Sequence, residues 1–173
     1  MHEFIPVNEP FIGEEEKKLV NNCLNSGWIS SEGNYIKQFE EELALKCSRK
    51  FAIAVSNGTA AIDITIEALN FPRGSEIIVP TFTIISCVNQ IIRNGLVPIF
   101  VDANAETWNI DVCKIEEKIT NKTVAIMAVH IYGLPVEMDK ILSLAEKKGL
   151  KIIEDAAEMI GGKYKEKICG SFG

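Results

Sequence analysis

Five short apolar runs separated by helix-patterned stretches constrain this chain more than any other feature. Phe51–Val55, Glu76–Val79, Val97–Val101, Thr123–Val129 and Leu150–Glu154 read as strands. Between them, Thr59–Leu69, Ile84–Arg93, Asp111–Ile119 and Val136–Lys148 read as helices, and Gly13–Ser26 and Tyr35–Cys47 read as two more ahead of the first strand. Strands that are apolar throughout are buried on both faces, and strand–helix–strand order makes neighbours parallel. The expected fold class is therefore α/β, a three-layer α/β/α sandwich with a mostly parallel sheet. Local signals agree. Glu14, Glu15 and Glu16 fall where a helix dipole favours acids, Pro80 closes its strand, Asn94-Gly95 is a C-cap pair and Gly149 stops a helix. The Tyr35–Cys47 helix is expected to carry Ile36, Phe39, Leu43 and Leu45 on its apolar face. Gly161–Lys167 reads as a small hairpin, and no interdomain linker interrupts the pattern.

The bulk numbers narrow the function classes. A net charge of −6 and no basic stripe exclude a nucleic-acid partner. Lys163, Lys165 and Lys167 alternate as a solvated face that discourages edge pairing. Cys23, Cys47, Cys87, Cys113 and Cys169 are odd in number and form no C-x-x-C pair, so reduced thiols fit better than a disulfide framework or a zinc site. No signal pattern opens the chain and no apolar run spans a bilayer. The expectation is a soluble, cytoplasmic protein with no membrane partner.

Two sites draw attention to the carboxyl ends of the strands, where open α/β sheets bind ligands. Strand Phe51–Val55 runs into Ser56-Asn57-Gly58-Thr59-Ala60-Ala61, a tight turn opening a helix. The first N–H groups of a helix lack intrahelical partners and suit an anion, though an ordinary capped turn would look the same. Strand Leu150–Glu154 delivers Asp155, which suits a cation such as a protonated pyridine nitrogen, or else serves as a helix N-cap. Phe82 follows a strand end and either lies against a planar ligand or joins the core. His130 leaves another strand end and either faces the same crevice or is a buried, hydrogen-bonded histidine. Trp28 is a loop anchor or an interface contact, and His2 carries no case. Neither a P-loop nor G-x-G-x-x-G is present. A ligand bearing both a phosphate and a protonated ring nitrogen would satisfy the two ends.

In order, Gly27-Trp28-Ile29-Ser30-Ser31, Ser56–Ala61, Ile77–Thr83, Val101-Asp102, Val129–Gly133 and Glu154-Asp155-Ala156-Ala157-Glu158 resemble the first half of the DegT/DnrJ/StrS family of pyridoxal-phosphate sugar aminotransferases. The resemblance implies an N-terminal arm plus the large cofactor-binding domain across residues 1–173, with pyridoxal 5'-phosphate as cofactor. It implies that Gly58, Thr59 and Ala60 hold the phosphate, that Phe82 stacks on the ring, and that Asp155 pairs with its nitrogen. Glu158 would lie on the ring's hydroxyl side, and His130 would face the substrate. The implied substrates are a nucleotide-linked 4-keto-6-deoxy sugar, aminated at C4, and an amino-acid donor, glutamate. A homodimer or a complementing C-terminal chain is the implied partner.

Gly170-Ser171-Phe172-Gly173 resembles the stretch just before the family's cofactor-linking lysine, and Lys163, Lys165 and Lys167 do not match that lysine. The expectation is a chain truncated before the lysine segment, inactive by itself and prone to associate. A catalytically inactive binding or regulatory module is the alternative. A Rossmann-type dehydrogenase, suggested by alternation alone, lacks its glycine fingerprint.

Overall fold

The computed structural model describes residues 4–173, so His2 lies outside the described residues. Two helices come first, α1 (Glu14–Ser26) and α2 (Asn34–Lys46). The Glu16 carboxylate accepts the Gly13 N–H at 2.7 Å, closing the first turn of α1. Neither helix is anchored by a buried stripe, for α1 buries no residue fully and α2 buries only Ala44. The apolar face expected of the second helix lies open, with Phe39 and Leu45 54% and 81% exposed.

The remainder is a layered α/β unit: α3 (Gly58–Leu69), β1 (Glu76–Pro80), α4 (Ile85–Arg93), β2 (Val97–Val101), β3 (Thr123–Val129), α5 (Met138–Lys148) and β4 (Lys151–Asp155). A hairpin of β5 (Lys163–Tyr164) and β6 (Lys167–Ile168) follows. The sheet order is β2-β1-β3-β4, with every pair parallel. Side chains of a strand alternate between faces, and this sheet uses both. Ile77, Val79, Ala125, Met127, Val129 and Ile153 enter one core with residues of α3 and α4. Ile78, Ile126, Ala128 and Ile152 enter the other with residues of α5. Three layers follow directly from that double burial. Because β2 and β3 flank β1 on opposite sides, the connections diverge there, and a crevice opens at the carboxyl ends.

Two expected elements take other forms. Residues 51–55 pair with none of the described strands: Ala54 N–H donates instead to Glu40 Oε1 at 2.7 Å, and Phe51 and Ile53 are 74% and 75% exposed. An apolar extended segment becomes a strand only beside a partner whose N–H and C=O groups complete the ladder. Asp111–Ile119 forms two 3-10 turns, Val112–Lys114 and Glu116–Lys118, in place of a helix. The Asp111 carboxylate caps the Cys113 N–H at 3.2 Å, and wholly buried Ile115 pins the joint between the turns.

The open faces of α1, α2 and residues 51–55 predict self-association of the chain produced alone. Light scattering is expected to give a mass well above 19.2 kDa, and a stable particle of that mass would mean these surfaces need no cover.

Candidate functional site

The crevice is assembled from the loops that leave β1, β3 and β4 and from the start of α3. Asn57 caps α3, its Oδ1 accepting the Ala60 N–H at 2.9 Å. That bond occupies the one amide of the turn that Ala60 would offer an anion. Gly58 and Thr59 are exposed and stand at the start of the helix, where amides have no intrahelical acceptor. A Cβ built on Gly58 meets nothing within 4 Å, so this side of the turn is open space that an anion can approach. The Thr59 hydroxyl lies 2.7 Å from the Ser86 hydroxyl in the first turn of α4.

From Ser86 the contacts run straight to the acid. Cys87, the next residue, is buried and places its thiol 3.5 Å from Asp155 Oδ2, while the Thr83 hydroxyl sits 3.3 Å from the same sulfur. Burial above all, with the negative charge of Asp155 adding to it, pushes the Cys87 thiol up to about 12, so it stays neutral and donates. Asp155 Oδ1 accepts the Ala157 N–H at 3.1 Å. Among the described residues Oδ2 therefore faces only a weak thiol donor, and this half-buried carboxylate retains capacity for a cationic N–H. The turn and the acid are thus linked through neighbouring residues of α4, Ser86 touching Thr59 and Cys87 touching Asp155.

Phe82 packs on the core shared by α3 and α4, and its ring also meets two exposed aromatics. Trp108 lies 5.2 Å away between centroids and Tyr132 6.2 Å, both tilted by nearly 60°. Glu158 accepts the Tyr132 N–H at 2.6 Å through Oε2. Tyr132 and Glu158, with Val7, Asn8, Gly133 and Ala157, line an open cleft of about 580 Å³.

His130 does not face this crevice. It is 1% exposed; its Nδ1 accepts the Val136 N–H at 3.0 Å and its Nε2 lies 2.9 Å from Glu154 Oε1. An Nδ1 that accepts carries no proton, so the ring is the tautomer that donates from Nε2 to the carboxylate. Both nitrogens are used within the protein, the arrangement expected of a buried, hydrogen-bonded histidine. The physical cause is parity: His130 follows Val129 and so turns to the opposite face of the sheet from the crevice.

Glu154 is the residue that sequence reasoning passed over. Its carboxylate also accepts the N–H groups of Gly170 (2.6 Å), Phe172 (2.7 Å) and Gly173 (3.0 Å). Burial alone would raise this carboxyl, but His130 and the three amides outweigh it and hold the group below the usual carboxylate range. His130, Glu154 and the Cys169 thiol have ligand atoms within 4.8 Å of one another, yet the carboxylate is saturated by its donors. The signal was two adjacent carboxylates in a strand, which must point to opposite faces. Ser86, likewise missed, could have been found as a hydroxyl in the first turn of a helix that begins at a strand end.

A parallel α/β sheet whose carboxyl edge carries both exposed helix-start amides and an available carboxylate suits a ligand of mixed charge. The chain belongs to the DegT/DnrJ/EryC1/StrS aminotransferase family, whose profile matches residues 10–173. This is a family of pyridoxal-phosphate-dependent aminotransferases. A GDP-perosamine synthase of Escherichia coli O157:H7 is 51% identical over 170 residues, covering 98% of this chain and 47% of the relative. Among solved structures, the aminotransferase from Psychrobacter cryohalolentis superposes with a TM-score of 0.84 at 37% identity, covering 90% of this chain and 40% of that one. The E. coli GDP-4-keto-6-deoxy-D-mannose-3-dehydratase with bound hydrated PLP gives 0.88 at 30% identity, covering 97% and 44%. The chain spans about half the length of the curated relatives it matches.

Proposed function

We propose that this chain supplies the pyridoxal-phosphate-binding part of a sugar aminotransferase acting on a nucleotide-linked 4-keto-6-deoxy sugar, with glutamate as amino donor. The observation that carries the reading is the run from the α3 turn through Thr59, Ser86 and Cys87 to Asp155, which joins an anion site to a carboxylate. The names of the relatives, a GDP-perosamine synthase and a dehydratase of GDP-4-keto-6-deoxy-D-mannose, support the substrate class.

The donor set suits the cofactor. The Gly58 and Thr59 amides and the Thr59 and Ser86 hydroxyls would hold its phosphate, with Ala60 spending its amide on Asn57. Phe82 would offer a ring face, Asp155 would hold a proton at the ring nitrogen, and Glu158 would sit toward the ring's hydroxyl. When bound, the cofactor supplies an electron sink that lets an amino group pass between carbon skeletons. The protein's share is to orient it and keep its nitrogen charged.

In this reading the cofactor-linking lysine is not one of the hairpin lysines. Lys165 pairs with Asp139 at 2.9 Å, and the Lys167 ammonium lies 4.5 Å from the centre of the Phe172 ring. The active assembly is proposed to be a cytoplasmic homodimer, or this chain completed by a further segment.

Gly58→Ala separates cofactor binding from folding. Its Cβ enters open space and its φ is not left-handed, so the fold should hold and α3 should gain a few tenths of a kcal/mol, up to ~1. The methyl would stand where the phosphate approaches. Titrating the full-length protein with pyridoxal phosphate, followed by absorption, is expected to show about tenfold weaker binding, the scale of one charge-assisted hydrogen bond. Equal affinity in wild type and variant would sink the phosphate assignment, and no uptake by either would sink the cofactor reading.

A further inference from the structure

Asn109 holds two loops together beneath the aromatic cluster. It is 3% exposed, its Oδ1 accepts the Ile131 N–H at 3.0 Å, and its Nδ2 donates to the Leu134 carbonyl at 3.0 Å. Its own carbonyl accepts the Asn104 N–H at 2.8 Å. One buried amide residue thus ties the loop 104–109 to the turn 130–134.

Each of those segments carries an exposed aromatic in a backbone conformation that L-residues avoid. Trp108 has φ +62° and Tyr132 has φ +48°, and they are 58% and 67% exposed. Bulky residues rarely stay left-handed unless their surroundings over-determine them. Here the surroundings do. Trp108 N–H donates to the Asn104 carbonyl at 2.8 Å, Asn104 Oδ1 accepts Glu106 and Thr107 N–H groups, and Glu158 accepts the Tyr132 N–H. Both rings then lean on Phe82 from their separate loops.

We infer that Asn109 is a positioning residue for the ring of Phe82, acting through Trp108 and Tyr132, which form a rigid bracket around it. The inference rests on the proposed cofactor reading, because Phe82 is the side chain assigned to the planar ligand. Truncating Asn109 leaves the buried Ile131 N–H without its acceptor and the Leu134 C=O without its donor, and the two strained turns lose their common tie. Phe82 would keep its hydrophobic seat but lose its orientation.

The test uses the full-length protein with Asn109→Ala and Asn109→Asp, beside Ile110→Val as a comparator that trims the neighbouring core residue without touching the clamp. Asn109→Asp keeps the acceptor for Ile131 and loses the donor to Leu134, so it carries the test where the alanine variant does not fold. In cofactor-free protein, the near-ultraviolet circular dichroism that Trp108→Phe removes is the signature of the bracket. The Asn109 variants are expected to lose most of it, and Ile110→Val to retain it. Affinity for pyridoxal phosphate should fall about tenfold in the Asn109 variants, the scale of one unmade buried hydrogen bond, and stay unchanged in Ile110→Val. Asn109 variants that match Ile110→Val in both readouts overturn the inference. Wild type that takes up no cofactor overturns the proposed function instead, while the dichroism alone still decides whether the bracket exists.

Discussion

Glu154→Ala is expected to destabilise the protein by about 3–5 kcal/mol, since each buried donor left without an acceptor costs about 1–3 kcal/mol and Glu154 serves several. The Glu154 side chain is 3% exposed and its partner His130 is wholly buried. Its loss leaves the His130 Nε2 donor and the amides of Gly170, Phe172 and Gly173 without their acceptor. Gly173 also lies against the strand itself: a Cβ there would stand 3.0 Å from the backbone nitrogen of Glu154. Glu154 is therefore the fastener between β4 and the segment 170–173. The pH dependence follows from its depressed titration. The stability it lends is fully present above the usual carboxylate range and is lost as pH falls through the lower folded value. Urea unfolding of wild type and Glu154→Gln at several acidic pH values isolates this contribution. Wild type should show a steeper acid-side loss than the glutamine variant, which carries no such proton. Parallel curves would mean that the carboxylate charge contributes nothing to holding the segment.

What the sequence revealed and what it hid divide along physical lines. Burial on both faces was legible because runs such as Ile77–Val79 and Ala125–Val129 are apolar without alternation. The start of α3 was legible because Asn57-Gly58-Thr59 has a cap's composition, and Asp155 because an acid ending an apolar run has few places to go. Partnering was not legible. Residues 51–55 have a strand's composition, but a strand exists only in a pair, and the pair is a tertiary fact. The face taken by His130 was within reach, since its position relative to Val129 and the matching step from Ile153 to Glu154 put both on the side away from Cys87. The left-handed turns at Trp108 and Tyr132 were hidden for a different reason. Glycine or asparagine would have announced them, whereas an aromatic residue there depends on Asn104, Asn109 and Glu158 holding it from a distance.

Asp155→Asn is the substitution expected to damage function most while leaving the fold intact. The amide is close to isosteric with the carboxylate, and its carbonyl oxygen can still accept the Ala157 N–H that Oδ1 now accepts. Only the charge disappears. Among the described residues Asp155 Oδ2 meets no donor stronger than the Cys87 thiol, and that thiol stays neutral because burial pushes it up to about 12. In the proposed reading, this carboxylate would be the charge that keeps a proton on the cofactor's ring nitrogen. Removing it costs a charge-assisted hydrogen bond, about 1.5–3 kcal/mol, which is roughly a 10- to 100-fold loss in affinity for pyridoxal phosphate. Turnover of the full-length protein should fall further than binding, because a ring without its nitrogen proton withdraws electrons poorly even when it is seated. Thermal unfolding in the absence of cofactor should move little, which separates this variant from Glu154→Ala one position away. Should Asp155→Asn bind the cofactor and turn over as wild type does, the carboxylate has no business with the ring. The crevice would then have to be read from the Gly58–Thr59 end alone.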